Sequence, residues 1–284
     1  MFRPTTAIHK TVIHQTVIHK TVRRATPWLL CCLFLALAPA VMAEEITLDQ
    51  VLALNLESRG GDALEGVETM RMIGTMTMGP GMEAPFTVYF QRPHKMRLEF
   101  TMQGMTGIQA FDGSNGWFVM PFMGNPNPQK MADDQLKQTR EMADFDGPLI
   151  GWKDKGYSVE LLGKTEIEGT EAYELKITTK DGDVTHTYLD TDYGLEFKQT
   201  AKRSFQGVEV EAETSIGDYK EVGDIVVAHS METRIGNAPA GQVITIKEID
   251  LNVEVTDDMF DMPEPSKADP TGHDHDHDHG QGSE

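Results

Sequence analysis

The sequence predicts an α+β domain in which one long, curved antiparallel sheet carries helices on one face. Apolar and polar residues alternate along about twelve short segments, as in strands with one buried face. The connections between these segments are too short for helical crossovers, which excludes a parallel sheet. The helical patterns are grouped rather than alternating with the strands, and this grouping favours the α+β class.

The first element is a helix that begins after Thr47. Thr47 is a favourable N-cap, and Gln50 three residues later completes a capping box. Gly60 and Gly61 are placed to end the helix. Apolar residues fall between these limits at helical spacing, at Leu48, Val51, Leu52 and Leu56.

Methionine-rich strands come next, at residues 69–78, 84–91, 95–102, 106–111 and 117–122. Alternation with a period of two gives each of the first three strands one apolar row. The last two are joined by the hairpin sequence DGSNG. The apolar rows comprise Met70, Met72, Met76, Met78, Phe86, Val88, Phe90, Met96, Leu98, Phe100 and Met102.

The β pattern stops at residues 124–128 (GNPNP), where glycine and proline break regular structure. Residues 132–143 have helical composition, and we expect residues 125–155 to form a helical excursion from the sheet. Strands resume at residues 158–162, 172–179, 184–189, 195–203, 208–218, 225–235 and 243–252.

Residues 1–43 are typical of a removable export signal. Arg23 and Arg24 precede an apolar run that is shorter than the roughly 20 residues of a membrane span, and Val41-Met42-Ala43 resembles a cleavage site. An uncleaved N-terminal anchor is the alternative. The upstream pentads IHKTV, IHQTV and IHKTV are interpreted as a translated repeat. We therefore expect a signal at 1–43, a folded periplasmic domain at 44–263 and a disordered tail at 264–284.

The charge and composition of residues 44–284 exclude several function classes. These residues carry 20 basic and 45 acidic side chains, a formal charge of −25, and no cysteine. Such acidity disfavours nucleic acid as a partner. The absence of thiols excludes cysteine nucleophiles, disulfides and cysteine-ligated metals.

Enzymatic signatures are missing from the sequence. It has no nucleophile-elbow serine, no phosphate-binding glycine loop and no HExxH motif. His94, His186 and His229 lie on or beside predicted strands without a spaced partner. We therefore assign no catalytic residue and no cofactor, and we expect a protein that is not an enzyme.

The distribution of methionine is the most informative anomaly. Twelve of the 17 methionines lie between residues 70 and 142. Methionine is flexible and polarizable, and proteins use it where an apolar surface must accept ligands of varying shape. Neighbouring strands rich in methionine and phenylalanine would form such a surface. The alternative is that the same residues form an ordinary core.

Metal binding is a second interpretation of the same residues. The pairs Met70/Met72 and Met76/Met78 present thioethers, which suit monovalent copper. In the tail, histidines flanked by aspartates favour weak binding of zinc, nickel or copper without enforced geometry. These are His273, His275, His277 and His279.

Four motifs occur in a characteristic order along the chain. ESRGG (57–61) ends the first helix, RPHKMR (92–97) begins a strand, FDG (111–113) precedes Trp117, and DDMFDMP (257–263) closes the domain. Together they resemble the outer-membrane lipoprotein-sorting proteins, the LolA/LolB-like superfamily, over nearly all of residues 45–263. The resemblance implies a strongly curved, incomplete antiparallel barrel whose concave apolar face is covered by helices. It also implies binding of acyl chains, although related folds sense envelope stress or carry other lipids.

These observations together predict a periplasmic carrier or binding protein for a lipid or a lipoprotein acyl chain, with lipoprotein sorting to the outer membrane as one role. Its partners would be that ligand and, transiently, inner- or outer-membrane proteins. The predicted pocket consists of the eleven strand residues named above and Trp117. The alternatives are a periplasmic copper- or zinc-binding protein and an envelope-stress sensor whose groove binds a partner protein.

Overall fold

Thirteen antiparallel strands form one curved, unclosed sheet in the computed structural model, which describes residues 46–264 except 80, 206, 207, 237 and 239. The strands are β1 (Thr69–Gly79), β2 (Met82–Gln91), β3 (Lys95–Met102), β4 (Met105–Phe111), β5 (Gly116–Met120), β6 (Asn125–Lys130), β7 (Ser158–Ile167), β8 (Thr170–Thr178), β9 (Val184–Asp190), β10 (Glu196–Phe205), β11 (Val208–Val222), β12 (Ile225–Ile235) and β13 (Gln242–Leu251). Their order across the sheet is β6-β5-β4-β3-β2-β1-β13-β12-β11-β10-β9-β8-β7. The first and last strands therefore pair at the centre, and β6 and β7 are the two edges.

Three α-helices accompany the sheet: α1 (Leu48–Ser58), α2 (Asp62–Glu65) and α3 (Asp133–Met142). The predicted capping box of α1 is confirmed, because the backbone N–H of Thr47 donates to Gln50 Oε1 at 2.8 Å and that of Gln50 donates to Thr47 Oγ1 at 3.3 Å. Short 3₁₀ turns occupy Pro121–Met123 and Asp257–Met259. None of the helices found between residues 46 and 264 has the length and hydropathy of a membrane span.

Strand register determines which side chains share a face of the sheet. Met70 lies opposite Phe90, Phe90 opposite Met96, and Met96 opposite Phe111. Directly paired residues point to the same side of an antiparallel sheet. We call this side the inner face and the opposite side the outer face. On β13 the inner face continues with Leu251, the partner of Met70.

The expectation of a helical excursion starting at residue 125 is wrong for its first six residues, which form strand β6 and pair with β5. Pro126 and Pro128 have no backbone N–H, whereas a central strand needs N–H groups to donate to the neighbouring strand on each side. An edge strand has only one neighbour and tolerates proline. The helix predicted at 132–143 is present as α3, over Asp133–Met142.

Two apolar clusters are buried in the described residues. The first, which we call the methionine cluster, includes Leu64, Val67, Met70, Met76, Phe86, Val88, Phe90, Met96, Phe100, Phe111 and Ala143. The second, which we call the α1 cluster, consists of Val51, Leu149, Val159, Tyr173, Leu175, Ile177 and Leu189. The methionine cluster therefore belongs mainly to β1–β4, and the α1 cluster joins α1 to β7–β9.

Candidate functional site

The register brings ten of the twelve predicted pocket residues onto the inner face. They are Met70, Met72, Met76, Phe86, Val88, Phe90, Met96, Leu98, Phe100 and Met102. The side chain of Met78 lies outside the described part of the chain. Alternation along β1–β3 therefore places these side chains together in space as well as in sequence.

Most of these ten side chains are packed rather than open to solvent. Met70 is 2% exposed, Met96 1% and Phe100 6%, whereas Met72, Leu98 and Met102 are half-buried. The thioethers of Met70 and Met76, considered above as copper ligands, belong to the methionine cluster. In this conformation the inner face of β1–β3 is a filled surface with a less tightly buried middle row.

Trp117 lies on the outer face, apart from the other predicted pocket residues. It pairs with Ala110, which pairs with Arg97, so all three point away from the methionine cluster. The Arg97 guanidinium lies 5.7 Å from the centre of the indole ring, and indole Nε1 donates to the carbonyl of Phe260 at 2.7 Å. Trp117 therefore fixes the closing segment of the domain against the outside of the sheet. Its neighbour Phe118 faces inward instead, as does Met120 two positions further on.

A connection that we call the crossing segment, residues 131–157, joins the two edge strands and contains α3. Its apolar side chains Leu136, Phe145 and Ile150 pack against the methionine cluster, and Ala143 is part of it. The rings of Phe145 and Phe90 are 5.9 Å apart. The crossing segment therefore lies against the inner face of the first strands.

Polar contacts hold the middle of the crossing segment in place. Arg92, at the end of β2, forms a salt bridge with Asp146, with Nη2 donating to Oδ1 at 2.8 Å. The same guanidinium donates to the carbonyls of Val67 at 2.6 Å and Leu64 at 3.0 Å. Arg59, after α1, donates to the carbonyl of Asp146 at 2.7 Å. Asp146 is thus bound by two arginines from different parts of the chain, through its carboxylate by Arg92 and through its carbonyl by Arg59.

A cavity of about 340 Å³, which we call the methionine cavity, lies between α3 and strands β4 and β5. It is lined by Gln109, Phe118, Met120, Met123, Met131, Gln135, Gln138, Thr139 and Met142. Gln109 bridges its two sides, because its Nε2 donates to Thr139 Oγ1 at 2.7 Å. Met123 and Met142 are 76% and 51% exposed, so the cavity opens to solvent.

The methionine cavity continues the middle row of the inner face. Met72 lies opposite Val88, Val88 opposite Leu98, Leu98 opposite Gln109, and Gln109 opposite Phe118. This row, half-buried except at Val88, therefore runs from the centre of the sheet into the cavity. Sequence reasoning missed this site, although its four methionines are among the twelve that cluster between residues 70 and 142.

A second cavity, of about 240 Å³, is polar and lies on the other side of α3. Its lining is His94, Lys137, Arg140, Glu141, Asp144, Asp154, Lys155, Tyr157, Thr179, Lys180 and Asp181. Lys155 Nζ donates to Asp144 Oδ2 at 2.5 Å and to the carbonyl of Gly147 at 2.7 Å. Burial, followed by the nearby carboxylates of Asp144 and Glu141, raises the pKa of Tyr157. The charges of this cavity are mixed in sign, and they hold the crossing segment together.

Metal ligands do not converge in the described residues. Between residues 46 and 264 there is no group of three or more histidine, aspartate or glutamate side chains placed to hold a metal ion. The four tail histidines, His273, His275, His277 and His279, lie outside the described residues.

The inner face changes character towards β10–β12. There the row consists of Gln199 opposite Thr214 and Thr214 opposite Thr233, whose hydroxyls are 3.0 Å apart. Glu196 precedes this row and accepts a hydrogen bond from Gln199 Nε2 at 2.8 Å. Burial of its carboxyl group raises the pKa of Glu196, and the charge of Arg59 opposes this effect. This part of the inner face is suited to polar groups rather than to alkyl chains.

Comparison with known proteins gives fold-level similarity only. No protein-family model matches the chain, and no curated protein matches it. The chain is similar in structure to a LolA superfamily protein from Nitrosomonas europaea, with a TM-score of 0.54, 13% identity, and coverage of 76% of this chain and 98% of that chain. It is also similar to a DUF1329 family protein from Desulfovibrio piger, with a TM-score of 0.54, 12% identity, and coverage of 75% and 96%. The resemblance predicted from the motifs is therefore confirmed as a shared fold, that of the LolA superfamily structure.

Proposed function

We propose that this chain is an extracytoplasmic, non-enzymatic carrier or binding protein for a hydrophobic ligand, the acyl chain of a lipid or lipoprotein. The observation that supports it most directly is the inner-face row Met72–Val88–Leu98, in which Met72 and Leu98 are half-buried on either side of buried Val88 and which runs into the methionine cavity. An acyl chain needs only apolar surface, and each buried methylene contributes about 0.8 kcal/mol. Cargo transfer would also require transient contacts with membrane proteins.

The cavity admits only part of such a ligand in the conformation described. Its volume of about 340 Å³ is near the lower end of ligand pockets, which measure roughly 300–1,000 Å³. Deeper entry requires the crossing segment to move away from the methionine cluster. Phe90 would then exchange its contact with Phe145 for contacts with the ligand, and the half-buried methionines of the inner face would become available to it. Unbranched methionine side chains can adapt to either partner.

The crossing segment is the part of the fold suited to such movement. It is attached at its centre through Asp146, by the salt bridge to Arg92 and the hydrogen bond from Arg59. Charge-assisted hydrogen bonds are directional and can be broken and remade without rearranging the sheet. We propose that helices and the crossing segment cover the concave face in the empty protein and that release of Asp146 accompanies ligand entry.

The test is uptake of a fluorescent fatty acid by purified protein, comparing two neighbouring substitutions on β5. Phe118→Lys places a charge in the methionine cavity and should abolish uptake, because an alkyl chain cannot satisfy a buried ammonium group. Val119→Lys is the matched control, since Val119 is also half-buried but points to the outer face. It should retain uptake.

Two results would reject the proposal: no uptake by the unchanged protein, or equal uptake by Phe118→Lys and Val119→Lys. Mass spectrometry of gently purified protein gives an independent measurement, in which co-purified lipid is expected. Bound copper or zinc without lipid would instead favour the metal-binding alternative.

A further inference from the structure

The methionines of the described residues range from fully buried to largely exposed. Met70 and Met96, in the methionine cluster, are 2% and 1% exposed. Met123 and Met142, which line the methionine cavity, are 76% and 51% exposed. The other two methionines of the cavity, Met120 and Met131, are half-buried. The most accessible thioethers of the cavity therefore lie at its rim, one on the 3₁₀ turn after β5 and one on the last residue of α3.

Thioethers are the most oxidisable side chains of the mature region, because residues 44–284 contain no cysteine. Peroxide reacts with the sulfur lone pair, the O–O bond breaks, one oxygen binds sulfur, and the other leaves as water. Sulfur loses two electrons and the peroxide gains them. The product, methionine sulfoxide, is polar, and methionine sulfoxide reductases return it to the thioether with two electrons from a thiol reductant, releasing the oxygen as water.

We propose that Met123 and Met142 form an oxidation-sensitive rim, at which peroxide-class oxidants close the methionine cavity to acyl chains. The inference rests on the proposed function and adds a means of regulation to the same site. A sulfoxide at either position places a strong hydrogen-bond acceptor where an alkyl chain must enter. Covering that acceptor with an alkyl chain removes its water without replacing it, which is unfavourable.

The position of Met123 and Met142 distinguishes an oxidation-sensitive rim from general oxidative damage to the protein. Oxidation of Met70 or Met96 would disrupt the buried cluster and unfold the domain. Oxidation of Met123 and Met142 leaves that cluster intact, because both side chains lie outside it and at least half of each is already exposed to water. The oxidised protein is therefore expected to stay folded while losing affinity for the ligand.

The experiment exposes the folded protein to limiting hydrogen peroxide and measures three quantities: sulfoxide at each methionine by peptide mass spectrometry, fatty-acid uptake, and the melting temperature. Met123 and Met142 should be oxidised before Met70 and Met96. Uptake should fall by about tenfold, the change expected from burying one poorly satisfied polar group. The melting temperature should change little, and methionine sulfoxide reductases should restore uptake.

Two double variants test the assignment, each compared with its own untreated sample. In Met123→Leu/Met142→Leu, which keeps apolar side chains at the rim, peroxide should no longer reduce uptake. Met82→Leu/Met105→Leu is the control, because these methionines are also exposed, at 49% and 38%, but do not line the cavity. It should remain as sensitive as the unchanged protein.

Each contrary outcome overturns a different statement. If the untreated protein takes up no fatty acid, both the proposed function and the oxidation-sensitive rim are wrong. If uptake is normal but survives oxidation of Met123 and Met142, only the oxidation-sensitive rim is wrong. Equal protection by the Met82/Met105 variant, or earlier oxidation of the buried methionines, would also overturn it.

Discussion

The two apolar clusters of this protein differ in how tightly they are closed. In the α1 cluster, Val51, Leu175 and Leu189 are completely inaccessible, and α1 is fixed at both ends. Its N-terminus has a capping box, and the carbonyl of Arg59 after its C-terminus accepts the N–H of Val226 at 3.1 Å. Half-buried apolar side chains pack against both clusters, but only those beside the methionine cluster lead into the open methionine cavity. One sheet thus supports a permanent core at β7–β9 and an adaptable surface at β1–β5.

The difference indicates where a ligand can be accommodated. Branched leucine, isoleucine and valine dominate the α1 cluster, and they pack in few rotamers. Methionine and phenylalanine dominate the other, and methionine has three rotatable bonds. The crossing segment over the second surface is held by apolar contacts and, at its centre, by the salt bridge between Asp146 and Arg92. The more adaptable side chains therefore lie beneath a segment whose attachment includes a polar contact that can be broken.

The largest expected effect comes from a cavity in the permanent core. Leu175→Ala should lower the free energy of unfolding by about 3 kcal/mol, as is usual for a fully buried leucine. Met72→Ala, on the half-buried row, should lower it by only about 1 kcal/mol. Urea denaturation followed by circular dichroism measures both. Equal losses would mean that the two clusters are equally rigid.

Removal of the salt bridge between Arg92 and Asp146 should have an intermediate effect on stability. In Arg92→Leu, Asp146 loses its partner while 14% of its side chain is exposed, and we expect a loss of about 2 kcal/mol, between the values for exposed and buried pairs. Amide hydrogen exchange at residues 143–150 should become at least tenfold faster, while that of β7–β9 should not change. Arg71→Leu is the control, because Arg71 pairs with Asp250 in a more exposed position. If amide exchange became faster in α1 instead, α1 rather than the crossing segment would be the element that Arg92 holds in place, which would contradict this prediction.

The smallest effect concerns Glu196, on the polar part of the inner face. Its pKa is raised in the folded protein, so the folded state retains a proton that the unfolded state has already lost as the pH rises above about 4. Ionisable Glu196 therefore destabilises the fold increasingly with pH, up to its own raised pKa. Glu196→Gln should match the unchanged protein near pH 4 and melt at a higher temperature than the unchanged protein at pH 8. An advantage that shrinks with rising pH would contradict the assigned shift.

The sequence predicted the local features of β1–β3 well, because the period of two that determines a strand face is visible within eight residues. The predicted bounds of β3 (95–102) and β12 (225–235) are those of the structure. Pairing of β1 with β13 could not be predicted, since the two strands are far apart in sequence: Met70 and its partner Leu251 are separated by 181 positions. Strand β6 was missed because proline argues against a strand unless the strand is known to be an edge.

The candidate site was harder to predict than the fold. Alternation identified the inner residues of β1–β3, but a five-residue strand such as β5 gives too few positions to choose between Trp117 and Phe118. The methionine cavity depends on the distance between α3 and the sheet, which no local pattern encodes. The density of methionines was the available signal, and it indicated residues 70–142 but not where the methionine cavity opens to solvent.

The unclosed sheet has a consequence for the solubility of the protein. An exposed edge strand can pair with another chain and begin aggregation. Pro126 and Pro128 remove two donors from the β6 edge, and at the β7 edge a register shift between Leu161 and Gly163 interrupts the ladder. Both ends of the sheet therefore disfavour the addition of a further strand. An incomplete barrel can in this way remain monodisperse without joining its edges.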